Sequence, residues 1–247
     1  MDVRISIFIL FWLFSRQAIA SESCQQALEE IGTQSDNVEI VCTSLLKNKA
    51  GQSIRAQTQV NFSRRTIKVL LDDTLSGAEL EMSLEHELAH VAQYQAWFDG
   101  FIGDSEYQER LQTLHNLVAP KGLNSTYQTL ARLKRHSMFR AHPERWLQAY
   151  ANIHFCMEYQ AWHREAEQAQ KEGIPFLLMT AEVTAIVNDN EQALVDYINQ
   201  ATIKHIYPEG FNPRQLQLAL DGCPDGNNPV DMFRSSIVAL ELTFTED

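Results

Sequence analysis

His86-Glu87-Leu88-Ala89-His90 is the stretch of this sequence from which both a fold and a chemistry can be inferred. On a helix the two histidines stand four residues apart, so both imidazoles project from one face and can bind one divalent metal ion. Glu87 lies beside them, where its carboxylate can accept a proton from a water molecule. The H-E-x-x-H spacing therefore predicts a metal ion and a general base on one helix.

The residues around the motif have the pattern of an amphipathic helix. At about 100° per residue, apolar side chains collect on the side opposite the histidines. They are Leu80, Leu84, Leu88 and Val91. Met82, Gln93 and Trp97 share the histidine side. A helix with one apolar face packs into a core, and this packing would hold the imidazoles in place.

A hairpin is predicted immediately before this helix. Residues 53–62 and 66–71 read as two strands joined by the polar turn 63–65. The segment 72–77, with two aspartates, a threonine, a serine and a glycine, supplies turn and N-cap chemistry before the helix. The motif helix is therefore expected to follow a small sheet directly.

The remainder of the chain is mostly helical in pattern. Short helices are predicted over 24–31 and 37–49, and longer ones over 106–118, 125–139, 143–171 and 180–203. One more short helix or strand is predicted over 230–242. The expected fold class is α+β, mainly α, with a small sheet beside the motif helix. Residues 21–247 are expected to form a single domain.

The first twenty residues have the features of a secretory signal peptide. Arg4 precedes a mostly apolar run over 5–14, interrupted by Ser6, and Ala18-Ile19-Ala20 is a small-x-small cleavage signal. The apolar run is short for a membrane span, although an uncleaved anchor is the alternative. We therefore expect a secreted or periplasmic protein with no membrane association after cleavage.

The net charge argues against one class of partner. The chain carries −12 at pH 7, and removing residues 1–20, which sum to +1, leaves −13. No basic stripe interrupts this acidic composition, so binding to nucleic acid is not expected.

Four cysteines, Cys24, Cys42, Cys156 and Cys223, form an even set. In an exported protein such a set predicts disulfides, with four reduced cysteines as the alternative. None belongs to a C-x-x-C pair, which argues against a zinc-thiolate or redox site. Three pairings are possible. The proximity of Cys24 to Cys42, between the two predicted short helices, favours that pair, and Cys156–Cys223 then follows by elimination.

Two histidines bind zinc weakly, so a third protein ligand is expected. The candidates are Glu158, His154, His163 and His205, with His115, His136 and His142 more remote. On the predicted helix over 143–171, Glu158 and His154 share one face, whereas His163 points about 140° away. From the residues alone, Glu158 and His154 both remain open as the third ligand.

Two short patterns together resemble the gluzincin branch of the zincin metallopeptidases. A helix bearing H-E-x-x-H is followed, 68 residues after His90, by a helix bearing Glu158-Tyr159-Gln160-Ala161, which is similar to the E-x-x-A of that family. The resemblance covers less than half of the chain. It implies that Glu158 is the third zinc ligand and that the small Ala161 lets the two helices approach.

The expected activity is hydrolysis of peptide bonds in a peptide or protein substrate. One Zn²⁺ held by His86, His90 and Glu158 would activate a water, with Glu87 as the general base. Further side chains are candidates for contacting the substrate or stabilising the transition state. They are His154, Tyr150, Tyr159, His205 and Tyr207. The alternatives are a catalytically silent zincin-like binding or inhibitory module and a metal-free helical interaction protein.

Overall fold

The computed structural model describes Cys24, Leu28 and residues 37–44, 46–47, 53–99, 105–118, 126–207, 209–224 and 228–240. A small mixed sheet comes first in this part of the chain, and the rest is mainly helical, as the sequence predicts. The predicted signal peptide, residues 1–20, lies outside the described residues. Of the predicted helix over 24–31, only Cys24 and Leu28 are described, and both are helical.

The sheet contains strands β1 (Val38–Thr43), β2 (Ala56–Asn61) and β3 (Thr66–Asp72), in the order β1-β3-β2. β2 and β3 form the predicted antiparallel hairpin, and β1 runs parallel to β3. The prediction of a helix over 37–49 is wrong. The sequence Val-Glu-Ile-Val-Cys-Thr is rich in β-branched residues, and these strand formers pair with the free side of β3 instead.

The helices of the described chain are α1 (Gly77–Asp99), α2 (Ser105–Val118), α3 (Thr126–Arg135), α4 (Pro143–Glu172), α5 (Ala181–Val187), α6 (Glu191–Ile198), α7 (Pro213–Asp221) and α8 (Pro229–Ala239). α1 is the predicted motif helix. α2 and α4 match their predicted ranges closely, and the segment predicted as a helix or strand over 230–242 is the helix α8.

α1 follows β3 through a turn closed by Asp72, whose Oδ1 accepts hydrogen bonds from the backbone N–H and the hydroxyl of Thr74. The apolar side of α1 faces the sheet. Leu80, Leu84 and Val91 are buried there against Ile67, Val69 and Leu71 of β3, and Leu88 is partly buried beside them. Because one side of α1 is anchored in this way, its histidine side faces away from the sheet.

α4 is the central helix of the molecule and packs along α1. Pro143 opens it, and Gly173 ends it with a left-handed φ of 63°, which a residue without Cβ adopts without strain. The face that packs inward contains the small, fully buried residues Ala151 and Ala161. On other sides α4 contacts α2, α3, α5, α6, α7 and α8.

Two predicted helices are shorter than expected. The segment 180–203 breaks after α5, where Asp189 adopts a φ of 55° and ends the helix. α6 then continues through a π-helical turn, Asn199–Ile203, into a last short turn, Lys204–Ile206. The segment 125–139 is helical to Arg135 and closes with tight turns up to Arg140.

Both predicted disulfides are present, Cys24–Cys42 and Cys156–Cys223. The first pair does not join two short helices as predicted, because Cys42 lies in β1. The second disulfide ties the buried Cys156 of α4 to the segment that follows α7. Within the described part of the chain, no helix is both long enough and apolar enough to cross a bilayer.

The two disulfides should contribute unequally to stability. They span 18 and 67 residues, and in the chain-entropy model their removal costs about 3 kcal/mol and about 4 kcal/mol respectively. We expect Cys156→Ala/Cys223→Ala to lower the free energy of unfolding more than Cys24→Ala/Cys42→Ala does. Urea unfolding of both variants beside the native chain measures this difference, and the reverse order would contradict it.

Candidate metal centre

The side chains of His86, His90 and Glu158 converge where α1 packs against α4. Nε2 of His86 lies 3.6 Å from Oε2 of Glu158, and Nε2 of His90 lies 3.8 Å from the same oxygen. The three ligand atoms all lie within 4.8 Å of one another, and both histidines are buried. Ligand atoms around a tetrahedral zinc ion are about 3.3 Å apart, so small side-chain movements would close this group around an ion.

The other nitrogen of each imidazole has an acceptor nearby. Nδ1 of His90 lies 2.9 Å from Oε1 of Gln93. Because the Gln93 amide nitrogen donates to the Met157 carbonyl at 3.0 Å, its oxygen must accept, and the proton of a neutral His90 resides on Nδ1. Nδ1 of His86 lies 3.2 Å from the buried carboxylate of Glu165. This distance is that of an ion pair, but the two groups are not oriented for a hydrogen bond. When the rings are neutral, both contacts favour the proton on Nδ1 and a lone pair on Nε2, the nitrogen nearest Glu158.

The charges within this group favour protonation of its histidines. Burial lowers the pKa of His86, but its contacts with Glu158 and Glu165 outweigh burial and raise the pKa to about 10. Burial also opposes the charge on His90, yet Glu158 raises the pKa of this residue. Burial would raise the pKa of Glu158, and the two histidines instead hold it well below its usual range. A metal ion entering this site must therefore displace protons.

Glu87 is buried next to these ligands and is held by the sheet. The hydroxyl of Thr58, on β2, donates a 2.5 Å hydrogen bond to Oε2 of Glu87. Glu87 is only 6% exposed. A carboxylate is seldom buried without a partner, and Thr58 is the partner here. Because Thr58 occupies one carboxylate oxygen, the other remains available to accept a proton.

Aromatic side chains cover the His86 side of the group. The indole of Trp162 packs edge-on to the His86 ring at 4.3 Å, and Tyr197 packs against Trp162 at 5.7 Å. Burial, together with nearby carboxylates including Glu158 and Glu165, raises the pKa of Tyr197 to about 12, so its hydroxyl keeps its proton at neutral pH.

His154 and Tyr150 lie on the same helix as Glu158 but outside the three-residue group. The rings of Tyr150 and His154 are 4.6 Å apart, and the Tyr150 hydroxyl lies 2.9 Å from Nδ1 of His115. Nε2 of His154 is buried with no hydrogen-bond partner. Burial and the charge of His90 lower the pKa of His154 to about 4, against the opposing effect of Glu158, so the ring is neutral at pH 7.

The structure places the other three candidate side chains in different surroundings. The Tyr159 hydroxyl donates to Glu191 at the start of α6. The Tyr207 ring packs against Phe211. His205 is exposed to solvent.

Two of the supporting residues stand at helical spacing from candidate ligands. Gln93 follows His90 by three positions and Glu165 follows Glu158 by seven, so helical periodicity places each on a site-facing side. Thr58 carried no such signal, because its contact with Glu87 depends on how β2 packs against α1 and not on sequence spacing.

Comparison with known proteins adds no relative to this picture. No protein-family model matches the sequence, and neither curated proteins nor solved structures show significant similarity to it.

The protonated state of the metal-free group leads to a measurable proton release. At pH 7 the pKa of His86, raised to about 10, keeps this residue charged, and Glu158 raises the pKa of His90 against the effect of burial, so binding of zinc should release at least one proton. The apparent affinity should fall as the pH decreases, because protons then compete more strongly for the nitrogens. Titration calorimetry in buffers of different ionisation enthalpy measures the release. His205→Ala should release as many protons as the native chain, and binding without proton release would contradict the expectation.

Proposed function

We propose that this chain is an exported zinc-dependent peptidase with His86, His90 and Glu158 as metal ligands and Glu87 as general base. One observation carries the proposal. The three ligand atoms lie within 4.8 Å of one another in a buried site, and the carboxylate of Glu87, held by Thr58, lies beside two of them on the same helix. The resemblance of the two helix patterns to gluzincins supports the same assignment.

The donor set suits zinc. Two imidazole nitrogens and one carboxylate oxygen are typical ligands of catalytic zinc, and three protein ligands leave a coordination position for water or substrate. The partners of the Nδ1 atoms, Gln93 and Glu165, are of the kind that orient ligating histidines. When bound, zinc would polarise the scissile carbonyl and make a water molecule more acidic.

The residues of the chain would then move the proton. Glu87 would accept it from the attacking water on the oxygen that Thr58 leaves available, and would donate it to the leaving amine. His154, neutral and without a partner at Nε2, and Tyr150 are the candidate hydrogen-bond donors to the developing oxyanion. These two side chains lie next to each other on the helix of Glu158, whereas the hydroxyl of Tyr159, on the same helix, donates to Glu191.

The sheet offers a means of aligning an extended peptide. β2 forms one edge of the described sheet and is paired with β3 on one side. Because Thr58 on β2 touches Glu87, the strand runs beside the proposed general base. A substrate peptide pairing with this edge would pass close to the metal ligands.

Export is consistent with the covalent structure. Both disulfides join cysteines within this chain, and disulfides of this kind persist in oxidising compartments. The sequence pattern over 1–20 supports the same proposal.

Zinc content tests the metal site. We expect about one zinc per chain in the native protein, and loss of zinc in His86→Ala, His90→Ala and Glu158→Ala, because two remaining ligands bind zinc weakly. His154→Ala is the matched control on the face of Glu158 and should retain zinc. Elemental analysis of protein purified without chelators measures the content. Native protein that contains no zinc and binds none on titration would exclude the proposal, and zinc loss in His154→Ala alone would reassign the third ligand.

Hydrolysis tests the role of Glu87. We expect Glu87→Gln to retain zinc and to lower peptide turnover by about 100-fold or more, because the amide cannot accept the proton. Glu85→Gln is the control, since Glu85 lies one position from the ligand His86 but pairs with Arg164 at 3.3 Å. Cleavage of a mixed peptide library, read by mass spectrometry, gives the rates. Zinc-loaded native protein without any cleavage would favour the silent binding module instead.

A further inference from the structure

A continuous chain of hydrogen bonds runs from His90 to the segment after α7. His90 Nδ1 lies 2.9 Å from Oε1 of Gln93, and the Gln93 amide nitrogen donates to the Met157 carbonyl at 3.0 Å and to Oε1 of Gln160 at 3.4 Å. The Gln160 amide nitrogen donates to the carbonyl of Pro224 at 2.8 Å. Gln93 is fully buried, so water does not replace these partners.

Every donor in this chain points away from His90. An amide presents an oxygen at one side and an NH₂ group at the other, so rotating Gln160 by 180° would break its bonds to both Gln93 and Pro224. The Pro224 carbonyl, which can only accept, thereby sets the orientation of Gln160. Gln160, together with the Met157 carbonyl, sets the orientation of Gln93. Aligned hydrogen bonds of this kind polarise and strengthen one another.

The Cys156–Cys223 disulfide fixes the end of this chain. Cys223 directly precedes Pro224, and Cys156 is fully buried in α4, two positions before Glu158 and four before Gln160. The bond therefore holds the Pro224 carbonyl against the helix that carries both Gln160 and the carboxylate ligand. The other disulfide, Cys24–Cys42, lies beside the sheet and packs with the opposite face of α1.

We propose that Gln93 and Gln160 are positioning residues for the metal ligand His90, and that the Cys156–Cys223 disulfide maintains them by holding the Pro224 carbonyl in place. If this carbonyl withdraws, Gln160 loses the acceptor that fixes its amide, and the orientation of Gln93 weakens. An inverted Gln93 would present NH₂ to Nδ1 of His90 and shift the ring proton to Nε2, the nitrogen that faces Glu158. The inference rests on the proposed metal site but not on peptide hydrolysis.

The test measures zinc affinity by competition with a chromophoric chelator in a set of oxidised variants. Gln160→Met removes both amide bonds at nearly constant volume, and Cys156→Ala/Cys223→Ala releases Pro224. We expect each to weaken zinc binding by about 10-fold, the lower end of the range for groups that orient a metal ligand. Because both changes act through one chain of contacts, the combined variant should be little weaker than either one.

Three controls separate positioning from general destabilisation. Cys24→Ala/Cys42→Ala should lower stability while leaving zinc affinity unchanged. Gln168→Met alters an exposed glutamine of α4 that bonds Glu172 and should also have no effect. Gln160→Glu retains the acceptor for Gln93 and should restore most of the affinity that Gln160→Met loses.

The possible results decide the proposal in either direction. Non-additive losses, rescue by Gln160→Glu and unaffected controls support it. Additive losses, equal losses in the Cys24→Ala/Cys42→Ala variant, or unchanged affinity in Gln160→Met would overturn it. If the Cys156→Ala/Cys223→Ala chain does not fold, Gln160→Met and Gln160→Glu decide alone, because both keep the disulfide. Absence of zinc binding in the native chain would instead be a failure of the proposed function.

Discussion

The enclosure of two buried imidazoles and a partly exposed carboxylate between α1 and α4 is the constraint on which the rest of this structure depends. A polar group removed from water without a partner destabilises a fold by several kcal/mol, and a charged group by more. His86, His90 and Glu158 satisfy one another in part, since Oε2 of Glu158 lies within 3.8 Å of both Nε2 atoms. Their remaining polar atoms need further partners, and Gln93 and Glu165 supply them from the same two helices.

The surrounding fold keeps the two helices in register. The sheet anchors α1 through Leu80, Leu84 and Val91, so the opposite side of this helix must face α4. Along α4, the fully buried Ala151 and Ala161 leave little side-chain bulk between the helix and its neighbours. The same sheet provides Thr58, which reaches across to Glu87. One small hairpin therefore both supports the motif helix and orients its carboxylate.

Local pattern predicted those parts of the structure that local forces determine. The 3.6-residue period predicted α1 and α4 with correct faces, because the side chains that share a face are determined by the geometry of each helix alone. The segment 37–49 was predicted wrongly because its conformation depends on pairing with β3, a contact between distant residues. Asp189 ends α5 in a left-handed conformation that the apolar periodicity did not reveal. In the site, only the family resemblance favoured Glu158 over His154 as the third ligand. The hydrogen bond from Thr58 to Glu87 could not be predicted without the tertiary structure.

The electrostatics of the group also bear on what kind of metal site it can be. The pKa of His86, raised to about 10, means that a proton can take the place of the metal ion as counter-charge to Glu158 and Glu165. The negative charge of these carboxylates can thus be balanced either by protons or by a divalent ion. Structural zinc sites are different, because they are closed by four protein ligands and many such domains unfold without the ion. Here the described residues gather three candidate ligands, and a buried carboxylate, Glu87, is held beside them. This donor count differs from the four-ligand closure of structural zinc sites, and the proposed function depends on that difference.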